Sequence, residues 1–292
     1  MADLASAAAA PTRRRSKRSL RHVPVSIWVC AFWCAMVVLL AVFANFLPLW
    51  NPDTPDYANI AAPPSPEHWL GTDQLGRDML SRLIYGARAS LQIGFFAVLL
   101  GMTIGVILGL LAGHLRGWVD TLITGAADIV LAFPTLIFIM VLVAVRGPSA
   151  GVLIFGLAVV MVPTFTRLAR ANSLVWSRRD FVTASKVLGA RQVRSMFRDI
   201  LPNVLPAMIA YSFVVVAVIM VAEGSLSFLG FGVPPPTPSW GSMIAGGRQS
   251  LSTAPHIVMF PALALFLTVL SFNLIGDYLR AKSAVGRSDV SL

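Results

Sequence analysis

Six stretches of this chain stay apolar for about twenty residues or more, and short segments rich in Pro, Gly or Arg separate them. They predict helices at about 25–49, 90–112, 119–145, 151–170, 203–223 and 256–279. Each is long enough to cross a bilayer core of roughly 30 Å. Pro134 predicts a kink in the third run, and Pro163 lies inside the fourth. In the second run Gly94, Gly101, Gly105 and Gly109 predict close packing against another helix, because glycine lets backbones approach.

The segments between the runs carry their own pattern. Residues 50–68, rich in Pro and Asp, read as an extended outer loop. Thr72 or Asp73 can then cap a helix on which Leu75, Met79, Leu80, Leu83, Ile84 and Ala87 share one face. Arg77, Asp78, Ser81, Arg82 and Arg88 lie largely on the other, which predicts an interfacial helix. Residues 224–254 read as a second outer loop carrying Pro234, Pro235, Pro236 and Pro238.

The most informative segment is a basic island at 171–202. Phe181, Ala184, Val187 and Leu188 recur at helical spacing before Gly189. Val193, Met196, Phe197, Ile200 and Leu201 do so after it. A loop that needed only solubility would not carry two apolar stripes. The pattern predicts two short amphipathic helices joined at Gly189, built to dock at the membrane surface. Asp180 is expected to cap the first or to supply its negative charge, and Pro202 to end the second, with Pro206 restricting the passage into the fifth span.

Composition and charge decide which side is which. The 292 residues are 57% hydrophobic and 12% charged, where soluble domains run about 25% charged. The net charge of +10 therefore reads as basic loops, with no nucleic-acid partner implied. With six spans and both ends inside, only Arg77, Arg82, Arg88, Arg146 and Arg248 of the 23 Lys and Arg fall outside. That asymmetry places the island inside. Residues 1–24 read as a disordered basic cytoplasmic tail, 25–282 as the transmembrane body and 283–292 as a second tail. The first run is too long for a signal-peptide core and lacks a small-x-small cleavage site.

The chain shows no phosphate-binding loop and no zinc pair, and His22, His68, His114 and His256 are far apart. Cys30 and Cys34, one helical turn apart, suit packing. Ionisable groups inside spans cost about 2.5–3.5 kcal/mol at a helix centre. Asp128 and Glu223 are therefore candidates for a translocation path or gate, with Asn273 beside them; the alternative is that each carboxylate reaches water or a neighbouring Arg. A membrane chain without catalytic machinery needs an energy source, and a partner docked at the island could supply one.

Three stretches carry a family resemblance. Thr183-Ala184-Ser185, then Gly189, then Ile200-Leu201-Pro202 resembles the Glu-Ala-Ala loop of binding-protein-dependent ABC importer permeases, with Thr183 and Ser185 departing from it. The segment 70–88 is similar to the one preceding the second span in C-subunit permeases of the dipeptide, oligopeptide and nickel family. Residues 223–241 are similar to that family's outer loop. The resemblance implies an all-α, type I ABC importer permease fold in a bacterial inner membrane. The subunit itself would not be an enzyme. It would pair with a second homologous permease, two ATPase subunits that bind ATP and Mg, and an extracytoplasmic peptide-binding protein. It also implies that Asp180, Phe181, Thr183, Ala184, Ser185, Val187, Leu188, Gly189, Leu201 and Pro202 form the ATPase-coupling site. The expected cargo is a di- or oligopeptide. The alternatives are nickel or another small solute, and, in a different class, a secondary carrier.

Overall fold

The computed structural model describes residues 23–288. The tail expected at 1–24 lies outside them except for its last two residues. Ten helices follow in order: α1 Val25–Phe43, α2 Met79–Leu115, α3 Gly117–Ala132, α4 Thr135–Arg146, α5 Ala150–Trp176, α6 Asp180–Val187, α7 Gln192–Arg194, α8 Leu201–Phe228, α9 Trp240–Gly247 and α10 His256–Ser288. Among the described residues the only β pairing is the isolated Thr72–Asp78 bridge. Five helices are long and apolar enough to cross a membrane, or six spans if the bent pair α3–α4 counts as one.

The glycine pattern in the second run finds its partner in α5. A Cβ on Gly105 would lie 2.8 Å from the Val162 carbonyl oxygen, and one on Gly109 would lie 2.5 Å from that of Thr166. The stripe continues through Gly113, which faces Arg170 and Ser173. Helix α5 therefore fills the glycine face, and only nearer its N-terminal end does α2 turn to α8, where Gly94 meets Val216 and Met220. The opposite flank of α8 lies against α10, and Gly276 accepts Val214 and Phe213. Ile93, Leu110, Leu157, Phe165, Met208, Ile219 and Met220 form the buried centre of this bundle.

Several expectations are corrected. No separate interfacial helix precedes the second span: α2 runs unbroken for 37 residues, roughly 55 Å at 1.5 Å per residue. Its N-cap is Asp78, whose side chain accepts from the Ser81 N–H at 2.8 Å, instead of Thr72 or Asp73. The supposed water face is buried, with Asp78, Ser81 and Arg82 all under 9% exposed, while Leu75 from the apolar face is exposed. The reason is local. Asp73 accepts from the N–H groups of Leu75 and Arg77 and from the Arg77 guanidinium, and Arg82 reaches Asp73 at 3.3 Å and the Pro52 carbonyl at 2.8 Å. Buried charges that are paired and bonded carry a smaller penalty.

The same bonds fold the outer loop back on itself instead of leaving it extended. The Ala61 N–H meets the Asp73 carbonyl, the Thr72 N–H meets the Ala62 carbonyl, and the Thr72 hydroxyl bonds the Asn59 carbonyl. His68 contacts Asp78 at 2.9 Å. Gly76, at φ +77°, leaves no room for a Cβ, which would meet the Asp56 carbonyl oxygen at 1.7 Å.

Pro134 does more than kink the third run: α3 and α4 are bent by 82° across Phe133 and Pro134. A proline lacking its N–H, with an extended Phe133 before it, breaks the helical ladder. The loop at 224–254 contains α9, started by a capping box between Ser239 and Ser242. The last helix continues to Ser288, into the tail expected from 283.

An open loop helix and a buried carboxylate

Helix α5 overruns the predicted end of its span and stops at Trp176, with α6 starting four residues later. Asp180 stands inside the first turn of α6, exposed, and not ahead of it as an N-cap; there it suits the positive end of the helix. Helix α6 ends as its sequence predicts. Gly189 has φ +86°, and the Ala190 N–H reaches back to the Ser185 carbonyl at 3.0 Å. This six-to-one bond across a left-handed glycine is a Schellman closure. It points the end of α6 into solvent.

The predicted stripe is in place and uncovered. Phe181 is 46% exposed, Val187 81% and Leu188 88%, and Ala184 and Thr183 are exposed with them. About two turns of apolar side chains left open at this level are unusual for a soluble face. The residue that holds α6 down was missed: Val182 is fully buried and joins the core. Its flanking position off the Phe181–Ala184–Leu188 line was the available signal. Phe181 leans on Trp176, ring centroids 6.3 Å apart, and the Arg179 guanidinium stacks over the same indole at 5.5 Å.

The second stripe divides. Met196 and Ile200 are buried and continue the line to Val204 and Met208, while Val193 and Phe197 are exposed. Pro202 does not end this helix. The chain runs helically from Gln192 to Phe228, with a π-helical turn over Ser195–Ile200 immediately before Leu201 and Pro202. The wider π turn takes the strain of a proline ring against the preceding carbonyls, and Pro202 then sits at the start of α8, where a missing N–H costs little. Leu201 is partly buried against the core.

The second site is at the opposite end of α8. Glu223 is 1% exposed. Its carboxylate accepts from the hydroxyls of Ser227 and Ser239, both at 2.8 Å, and Ser90 lies 3.5 Å away. Ser90 in turn accepts from the Trp240 N–H, and the Trp240 indole N–H donates to the Leu83 carbonyl at 2.9 Å. Three elements, α2, α8 and the start of α9, thus meet on one carboxylate. Gly224 and Gly241 permit it, since a Cβ on Gly241 would lie 2.6 Å from the Gly224 Cα. Ser227, one turn along the same helix, was within reach of sequence reasoning, whereas Ser90 and Ser239 lie 133 and 16 residues from Glu223 and on other elements.

The other two path candidates are engaged elsewhere. Asp128 pairs with Arg167 at 2.5 Å, both side chains more than half exposed. Two turns away Asp120 takes a fork from Arg170, one bond at 2.6 Å. These pairs tie α3 to α5. Asn273 donates to the Val269 carbonyl of its own helix at 2.9 Å. The structure therefore places Asp128, Glu223 and Asn273 in three separate local environments.

Known proteins can now be set beside this geometry. Residues 105–283 match the family described as Binding-protein-dependent transport system inner membrane component. The glutathione transport system permease protein GsiD of Pectobacterium atrosepticum is 38% identical over 272 residues, covering 92% of this chain and 89% of that protein. GsiD of Escherichia coli O6:K15:H31 is 40% identical over 251 residues, covering 86% and 83%. Among solved structures, an inward-facing form of the MetNI methionine ABC transporter superposes with a TM-score of 0.58 at 17% identity, covering 70% of this chain and 97% of that one. An amino acid ABC transporter crystallised with histidines gives 0.54 at 15% identity, covering 70% and 94%. At such identities these two speak for the fold alone. The family match runs from Gly105 in the stripe of α2 into α10, the GsiD matches cover more than four fifths of the chain, and this chain belongs with them to the inner-membrane permease components of binding-protein-dependent ABC importers, in the peptide and nickel branch.

Proposed function

We propose that this permease contributes half of a translocation path for short peptides and takes its drive from ATPase subunits docked at α6. It pairs with a second, homologous permease, two ATPase subunits carry ATP and Mg, and an extracytoplasmic binding protein delivers the peptide. Both chain ends and the α6 loop lie in the cytoplasm, a placement supported by the Arg and Lys asymmetry of the sequence.

The observation that carries the coupling role is the uncovered face of α6. One buried anchor, Val182, fixes the helix, while Phe181, Ala184, Val187 and Leu188 are left open beyond it. An apolar helix face presented in this way fits a groove on another protein. Asp180 and Thr183, both exposed, supply the polar rim, and Gly189 sets the turn into α7. The continuous helix from Gln192 to Phe228 begins just beyond the Gly189 turn and carries Glu223 near its other end, so a push on α6 has a rigid element along which to act. In this reading Glu223 anchors the outer helix α9 and does not touch cargo. Asp128 and Asn273 remain the polar groups proposed nearer the path.

The peptide assignment rests on the GsiD relatives, whose name specifies glutathione, a small peptide. Nickel or another small solute is the competing cargo in the same branch. Ala184→Trp tests the coupling. Ala184 is exposed, so the indole leaves the subunit's own packing intact and obstructs only the groove. The expected result is a complex that assembles in the membrane but loses uptake and binding-protein-stimulated ATPase activity. Undiminished uptake would remove α6 from the coupling role. Competition between labelled glutathione, dipeptides and nickel for the cognate binding protein settles the cargo separately.

A further inference from the structure

A crevice on the flank of the bundle is built for an amphiphile. It encloses about 440 Å³ between α1, α2, α8 and α10, within the size range of small-molecule sites. Val38 and Val42 line it from α1, Leu91 and Phe96 from α2, Val216 from α8 and Phe272 from α10. None of these is a candidate of the coupling loop or the path. The crevice opens on the outer flank of α1 and α2, where Val42 and Phe95 are each 57% exposed.

Its two walls share one gradient. On α2, Arg88, Gln92, Phe95 and Phe96 fall at i, i+4, i+7 and i+8, hence on one face. On α1, Val38 and Val42 likewise share a face, and Asn45 follows in the short 3-10 turn that continues the helix. Both faces are apolar in depth and polar at the same end, the end nearest residues 47–78. There Asn45 accepts from the Tyr85 hydroxyl at 3.1 Å and from one Arg88 nitrogen at 3.4 Å. Arg88 stands outside every ion pair found among the described residues. Arg88 to Phe96 is eight residues, roughly 12 Å of helix, so the cation and the apolar floor are one acyl segment apart.

We propose that this crevice holds one phospholipid from the leaflet on the side of residues 47–78. Its phosphodiester sits at Arg88, and one acyl chain lies between α1 and α2. Apolar depth favours a hydrocarbon chain, and the unpaired guanidinium at the mouth favours an anion able to accept two parallel N–H bonds. A wholly apolar helix of a second protein would bury the walls but offer Arg88 no anion beyond its bond to the neutral Asn45 amide. The bound lipid would also cover the part of α1 that otherwise shows Val38 and Val42 on its open side.

The test uses the whole transporter, purified with its partner subunits and stripped of lipid in mild detergent. Phosphatidylglycerol is titrated back and followed by native mass spectrometry. The wild-type complex is expected to retain one tightly held lipid per copy of this chain. Arg88→Ala should weaken that retention about tenfold, the size of one charge-assisted bond lost. Val42→Trp, which fills the crevice from an exposed position, should abolish it without touching Arg88. Arg146→Ala, an exposed arginine away from the crevice, should change nothing. Equal retention in all four complexes overturns the proposal. So does an efficient disulfide between a cysteine at Val42 and one on the second permease, because a protein helix would then be the occupant.

Discussion

The glycine stripe between α2 and α5 makes a prediction whose sign is opposite to the helix rule. Alanine is the better helix former, by about 1 kcal/mol per residue over glycine. At Gly125, on an exposed face of α3 with nothing within 4 Å of the added atom, that is the whole effect. Gly125→Ala should therefore stabilise by about 0.5–1 kcal/mol. Gly109→Ala meets a different surrounding. Its Cβ would lie 2.5 Å from the Thr166 carbonyl oxygen, 2.6 Å from the Ala169 Cβ and 2.8 Å from the Arg170 nitrogen. Two of these are backbone atoms of α5 and cannot rotate away. Relief requires α5 to retreat by roughly 1 Å, and a gap of 0.5–1 Å already forfeits a quarter to a half of each contact along the seam. Overpacking costs about 1–3 kcal/mol, and rigid backbone neighbours put this case near the upper end. After the propensity gain the net loss is about 2 kcal/mol, a separation of roughly 3 kcal/mol between the two variants. The assay is thermal unfolding of the purified protein in mild detergent, followed by labelling of the buried Cys30 with a fluorogenic maleimide. The melting midpoints should order Gly125→Ala above wild type above Gly109→Ala. A Gly109→Ala midpoint at or above wild type would refute the close helix contact.

Other positions give further tests. Glu223→Ala should cost about 2–4 kcal/mol, because Ser227 and Ser239 lose their buried acceptor, whereas Glu223→Gln keeps one acceptor oxygen and should cost less than about 1 kcal/mol; faster proteolysis at 229–239 in the Ala variant alone is the readout, and equal cleavage would dismiss the anchor. Gly189 has open space around it but φ +86°, so Gly189→Ala should weaken α6 by about 1 kcal/mol through backbone strain alone, with Gly189→Asn intermediate; binding-protein-stimulated ATPase activity should follow the same order, and an Asn variant worse than Ala would contradict it. Asp120 takes a two-pronged bond from Arg170 and is partly sheltered, while Asp128 and Arg167 are more than half exposed. Asp120→Asn should therefore lower the unfolding midpoint by the equivalent of about 1–2 kcal/mol, and Asp128→Asn by less than about 0.5 kcal/mol; the reverse ranking would show the Asp128 pair to be the structural one.

The periodic parts of this protein were legible from its residues alone. Long apolar runs must be helices in lipid, since every backbone group has to be satisfied within the segment. Small residues at four-residue spacing must meet something close, and the stripe at Gly105 and Gly109 does. The turn at Gly189 and the open apolar face before it were equally local properties. Three things depended on tertiary contact. Charge alone places Arg82 on the polar face, and Asp73 reads as a possible helix cap; their mutual bonding draws both inside, and α2 starts at Met79 with Asp78 as its cap. Pro202 reads as a helix end by its own chemistry, yet a π turn before it let the helix continue from Gln192 past Glu223 to Phe228. The cage around Glu223 needed Ser90 and Ser239, 133 and 16 residues away, and Val182 proved to be the buried foot of α6. Periodicity reports which face of an element is apolar. Which polar groups find each other across the bundle is fixed only when packing brings distant residues within bonding distance and makes an unpaired group costly.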